Sequence, residues 1–88
     1  MSKIPIIYVV RNSTTDYMIV TLEPWAEEFR VSPGSTLSVN IYYDNPGVLE
    51  TDIGPRYFTL WLWGGCRAEV SLDGSDLTPN SLTIPAPI

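Results

Sequence analysis

LSVNIYY, residues 37–43, alternates without a break. Leu37, Val39, Ile41 and Tyr43 fall on one side; Ser38, Asn40 and Tyr42, followed by Asp44, fall on the other. Successive side chains of an extended chain point to opposite faces. The pattern therefore predicts a strand with one face in a core and one in solvent.

The same period recurs outward from it. Ile4 to Val10 is rich in β-branched residues, and Pro5 pushes its start toward a sheet edge because proline cannot donate to a ladder. Tyr17 to Glu23 places Met18, Val20 and Leu22 on one face and Tyr17, Ile19, Thr21 and Glu23 on the other. Phe29 and Val31 point one way, Glu28 and Arg30 the other. Tyr57 to Trp63 is apolar on both faces, with Phe58, Leu60 and Leu62 in one row and Tyr57, Thr59, Trp61 and Trp63 in the other. Ala68, Val70 and Leu72 continue the inward pattern, and Leu82 with Ile84 suggests a last short strand. Between these runs lie turn signals: Asn12 to Asp16, Ser32-Pro33-Gly34-Ser35, Gly64-Gly65 and Asp73-Gly74. DNPGVLETDIGP, residues 44–55, reads as a long loop.

Eight prolines and six glycines leave no uninterrupted helical stripe. The expected fold is all-β: a single-domain β-sandwich, Greek-key in character, of six to eight short strands over residues 1–88. Its core spans about 4–84, with a short proline-containing tail over 85–88. A domain of this size buries only about 60% of the surface its unfolded chain exposes, so its core is thin.

Composition narrows the function. The net charge is −5, and the five basic residues never run together. No basic stripe is available for phosphate backbones or anionic lipid, so neither a nucleic acid nor a membrane is an expected partner. Cys66 is the single cysteine and there is no histidine. A cysteine-built metal site and any Cys-His or Ser-His mechanism are excluded. The N-terminal apolar run is short and lacks a cleavage signal, so the expected location is cytoplasmic.

Three groups of residues could carry chemistry. LEPWAEEF, residues 22–29, sets Glu23, Glu27 and Glu28 around Trp25. One reading is a carboxylate of raised pKa beside an indole, with a second carboxylate as its partner. The other is a corner, in which Pro24 stops the strand, Trp25 anchors it and the glutamates stay hydrated. The row Tyr57, Trp61, Trp63 could stack against a ligand, or be covered by a second layer or subunit, since burying one large aromatic is worth about 2–3 kcal/mol. The loop carries Asp44, Asn45, Glu50 and Asp52, oxygen donors without EF-hand spacing and thus a recognition surface rather than a metal site. Asp73-Gly74-Ser75-Asp76 reads as a hairpin turn rather than a phosphate loop.

The order of these motifs resembles a group of short bacterial proteins of unknown function. They share a Leu-Glu-Pro-Trp-Gly segment, two acidic residues and an aromatic, a Pro-Gly turn, a later Trp-Gly and an Asp/Asn-Gly turn. The matching positions are Glu23, Pro24, Trp25, Glu27, Glu28, Phe29, Pro33, Gly34, Trp63, Gly64 and Gly74, spread through residues 12 to 77. Ala26 stands where that group has glycine, which implies a backbone with no need of positive φ there. The resemblance implies a bacterial origin, with a phage origin entering only through the ligand-sponge alternative, and carries no activity with it.

The expected function is binding without catalysis, through protein–protein contacts and self-association into a homo-oligomer, and without a cofactor. The candidate contact residues are Trp25, Glu23, Glu27, Tyr57, Trp61 and Trp63. A small-molecule or carbohydrate binder, such as a ligand sponge, is the alternative. A carboxylate-based hydrolase comes last, because 88 residues scarcely build a deep cleft.

Overall fold

The structure, a computed structural model, describes residues 4–88. Among the described residues eight strands follow one another: β1 (Ile6–Arg11), β2 (Met18–Glu23), β3 (Glu27–Val31), β4 (Thr36–Tyr42), β5 (Glu50–Ile53), β6 (Tyr57–Trp61), β7 (Arg67–Leu72) and β8 (Ser75–Asp76). They form two four-stranded sheets, ordered β1-β4-β7-β8 (sheet I) and β3-β2-β6-β5 (sheet II). The chain leaves sheet I for the β2–β3 hairpin, returns as β4 beside β1, crosses again for β5 and β6, and ends in β7 and β8. These crossings give the β-sandwich its Greek-key character. Every pairing is antiparallel except β2 with β6, which run parallel.

The alternation in β4 does what its pattern demands. Leu37, Val39 and Ile41 are fully buried, and their neighbours across the sheet are Val10 on one side and Val70 and Ala68 on the other. Val20, Leu22, Phe29, Val31 and Leu60 of sheet II meet them across the core. Burying each large aliphatic side chain contributes roughly 1.5–3 kcal/mol, so this double row supplies most of the driving force.

One end of the sandwich is closed by a polar residue. Asn12 is completely buried, and its Nδ2 donates to the carbonyls of Asp16 and Val31, both at 2.8 Å. Its Oδ1 accepts from the Thr14 amide and hydroxyl, while its backbone pairs with Ser35 and Gly34 in the Pro33-Gly34 turn. With every side-chain donor and acceptor used, the hydrogen bonds offset the cost of desolvation, and the β1–β2 and β3–β4 connections are locked together.

The structure corrects four of the expectations. Residues 44–55 are not wholly a loop, since β5 pairs antiparallel with β6. All four β5 residues are exposed, so the strand has no core face and leaves no alternation to read. Leu82 and Ile84 do not form a strand. Asn80–Thr83 is a 3-10 helix, held by Leu82 N–H to Pro79 O and followed by Ile84 N–H to Ser81 O; only Leu82 turns inward. The segment 85–88 is not a tail outside the core: Ala86 is 2% exposed, and its N–H and C=O bond Cys66 O and Gly65 N–H. Ala26 does adopt positive φ, at 62°, so the tight β2–β3 corner imposes on alanine the conformation that glycine would take freely.

Candidate functional site

Residues paired across a ladder share a face, so the register shows what sheet II presents outward. One row is Arg30, Ile19, Tyr57. The next is Glu28, Thr21, Thr59, Asp52. The third is Glu23, Trp61, Glu50. The opposite face of β2, β3 and β6 lines the core, while β5 has no core face. Sheet II therefore carries an outer surface with four carboxylates, two threonines and two large aromatics.

Two features give that surface shape. Trp61 is 42% exposed and its Nε1 donates to Asp52 Oδ2 at 2.8 Å, which holds the indole beside a shallow open depression lined by Glu50, Thr51, Asp52 and Trp61. Tyr57, 65% exposed, stands four residues earlier on the same strand and the same face. The far end is basic. The guanidinium groups of Arg30 and Arg56 lie over the Tyr17 ring, 3.9 and 4.7 Å from its centroid, and Arg56 pairs with Asp16 at 3.1 Å. The surface thus runs from engaged positive charge to a carboxylate-rimmed tryptophan.

The other two tryptophans have different duties. Trp25 Nε1 donates to Ile84 O at 3.1 Å, and the ring lies against the core. Trp63, past the end of β6 rather than in line with Trp61, donates to Asn45 O at 2.9 Å and packs at a tilt on Tyr43. A Cβ added at Gly47 would fall within 2.4 Å of the Trp63 ring, so the 44–49 segment lies directly on the indole. A Cβ at Gly64 would strike the Pro87–Ile88 backbone. Trp25 and Trp63 hold chain segments in place.

The acidic stretch divides in the same way. Glu23 and Glu28 lie on the outer face of sheet II, while Glu27, opposite Leu22, turns to the inner rim and accepts a hydrogen bond from Ser81 Oγ. The strand period therefore sends Glu23 and Glu27 to opposite faces and does not bring them together. LEPWAEEF is a corner that fastens the 80–88 segment through Trp25 and Glu27. Of the sequence-selected residues, Glu23, Tyr57, Trp61, Glu50 and Asp52 share one surface; Trp25, Glu27 and Trp63 do not join it. Asn45 serves through its backbone, and Asp44 lies in the same segment. Thr21, Thr59 and Glu28 belong to the surface as well, although only the pairing of β2 with β3 and β6 places them there.

Other reactive groups are occupied elsewhere. Cys66 is buried, and desolvation pushes its thiol up and away from thiolate formation. Tyr42 donates to Glu69 at 2.7 Å on the outer face of sheet I; that hydrogen bond, more than burial, pushes the phenol up. Among the described residues no group of three Cys, Asp or Glu side chains is placed to hold a metal ion, and no helix is long and apolar enough to cross a membrane.

Comparison with protein-family models, with curated proteins and with solved structures returned no match. The reading of this surface rests on its own chemistry.

Proposed function

We propose that the protein is a non-catalytic cytoplasmic binding module that docks a protein partner on the outer face of sheet II. The observation that carries this reading is Trp61: a large aromatic left 42% exposed in a thin-cored domain, steadied by Asp52 and flanked by Glu23 and Glu50. Exposed aromatics are the usual energetic anchors of protein interfaces, and their depth of burial on docking sets the affinity. The carboxylates around it select a partner of positive charge and repel acidic ones, in keeping with a net charge of −5. An open sheet face does not exclude water from its carboxylates, which favours recognition over proton transfer.

The test is a paired capture experiment in the native host, with wild type beside Trp61→Ala and Glu50→Lys. The partner held by wild type is lost from both variants, and raising salt from 50 to about 500 mM weakens the wild-type complex, because exposed charge pairs are screened beyond a few ångströms at that ionic strength. A partner retained equally by Trp61→Ala would refute this placement.

The depression beside Trp61 supports a second reading, a carbohydrate ligand. An indole edge with Asp52, Glu50 and Thr51 offers a stacking surface and hydroxyl acceptors together. Titration with an oligosaccharide panel, read by Trp61-dependent emission, distinguishes the two: a saturable shift absent from Trp61→Ala favours the sugar.

A further inference from the structure

A sheet edge exposes a row of unpaired N–H and C=O groups, and proteins guard such edges with charge, brevity or bulges. Among the described residues, three of the four sheet edges are guarded. β3 sets Glu28 and Arg30 outward. β5 has four residues, two of them acidic, and runs into Gly54-Pro55. β8 has two residues. β1 is different: six residues, Ile-Ile-Tyr-Val-Val-Arg, with no charge before Arg11. Its outward side chains are apolar and open, Ile7 at 64% and Val9 at 54% exposure. The rows they head turn polar at once, Ile7 beside Asn40 and Glu69, Val9 beside Ser38 and Ser71. The outward apolar stripe of sheet I is therefore confined to its free edge.

We infer that β1 pairs antiparallel with β1 of a second copy, joining two sheets I into one continuous sheet across a two-fold axis. Charge favours this occupant. The chain carries −5, and sheet II presents four outward carboxylates, so most self-contacts are repulsive, whereas β1 is free of acidic residues and its outer neighbours Ser38 and Asn40 are neutral. The pattern also selects a register. Inward residues must oppose inward ones, which leaves a centre at Ile7, Tyr8 or Val9. Centred on Val9, Ile7 faces the charge of Arg11; centred on Ile7, pairing runs early into Pro5, which has no N–H to give. Centred on Tyr8, Ile7 opposes Val9, Ile6 opposes Val10, and Arg11 lies beyond the ladder. The joined edge is about 20 Å long. A contact of that extent belongs to the small, reversible class of interfaces, so the dimer forms in the micromolar range rather than permanently. The inference is independent of the docking surface on sheet II, which remains open in the dimer.

Sedimentation velocity from about 1 to 500 μM tests it, a range set by that interface class. Wild type shifts from monomer to dimer, and Val9→Lys, a surface substitution that keeps the thermal midpoint, raises the dissociation constant about tenfold or more, because each ammonium displaces an apolar contact with Ile7 of the second copy and lies diagonally across the axis from a like charge. Equal mixtures of Ile7→Cys and Val9→Cys chains form a cross-linked heterodimer under mild oxidation, while Arg11→Cys chains do not link. A wild type that stays monomeric throughout, a dimer indifferent to Val9→Lys, or cross-linking through Arg11→Cys would each overturn the inference.

Discussion

Trp63 and Trp61 are separated by one residue, yet they serve opposite ends. Trp63 lies under a loop and gives its N–H to a backbone carbonyl. Trp61 stands on an open sheet and gives its N–H to a side-chain carboxylate. Trp25 sides with Trp63, bonded to the backbone of Ile84. A backbone acceptor binds one chain segment to another; a carboxylate acceptor orients a ring without covering it. The contrast separates a fastened end, where residues 22–29, 44–49, 63–66 and 80–88 converge, from a free surface on sheet II.

The strongest way to break that contrast is at the fastened end. Trp25→Ala removes a core contact and the only indole bond to the 80–88 segment, and should cost about 2–4 kcal/mol by urea midpoint, in line with other large-to-small aromatic truncations. Gly47→Ala drives a methyl into the Trp63 ring and should cost about 1–3 kcal/mol, unless the loop lifts away, which a red shift in tryptophan emission would reveal. Trp61→Ala sharpens the contrast from the other side. It should change stability by less than about 1 kcal/mol, the scale of surface substitutions, while abolishing partner capture.

The smallest effect concerns pH. The Thr36 backbone N–H, and then Ser35, hold the Asp73 carboxyl below its ordinary value; the Thr78 hydroxyl, and then its N–H, do the same for Asp76. Both folded values lie below the unfolded one of about 3.9, so their contribution is complete above that pH and is lost as the pH falls through the folded values. The exchange protection of the Thr36 and Thr78 amides, corrected for intrinsic rate, should fall below about pH 4 while that of the core amides holds, since both carboxyls belong to the β7–β8 edge of sheet I. Asp73→Asn should remove that step at Thr36.

The sandwich itself was legible because its inward residues repeat every second position: Leu37, Val39 and Ile41, then Val20 and Leu22, then Ala68 and Val70. The Asp73-Gly74 turn was legible too, with φ of 49° and 86° closing the β7–β8 hairpin. β5 was not, because a strand exposed on every residue obeys no hydrophobic period. The 80–83 helix was hidden because Leu82 and Ile84 mimic alternation while only one of them is buried. At the candidate site, the alternation of β2 and β6 put Glu23, Tyr57 and Trp61 outward. That they share one surface depends on the parallel pairing of β2 with β6, a nonlocal match that neither strand announces. The fates of Trp25 and Trp63 likewise depend on carbonyls far along the chain, Ile84 O and Asn45 O.

The parallel pair has a temporal consequence. Glu23 becomes a neighbour of Trp61, and Ile19 of Tyr57, only when the intervening chain has been laid through the other sheet and back. Such distant matches form late, because the closure of a long segment must be offset before any contact repays it. During synthesis the outer face of sheet II would stay incomplete until β6 emerges: a nascent chain stalled before β6 holds Glu23, Glu28 and Glu50 but neither Tyr57 nor Trp61, and so lacks the aromatic anchor of the proposed docking surface.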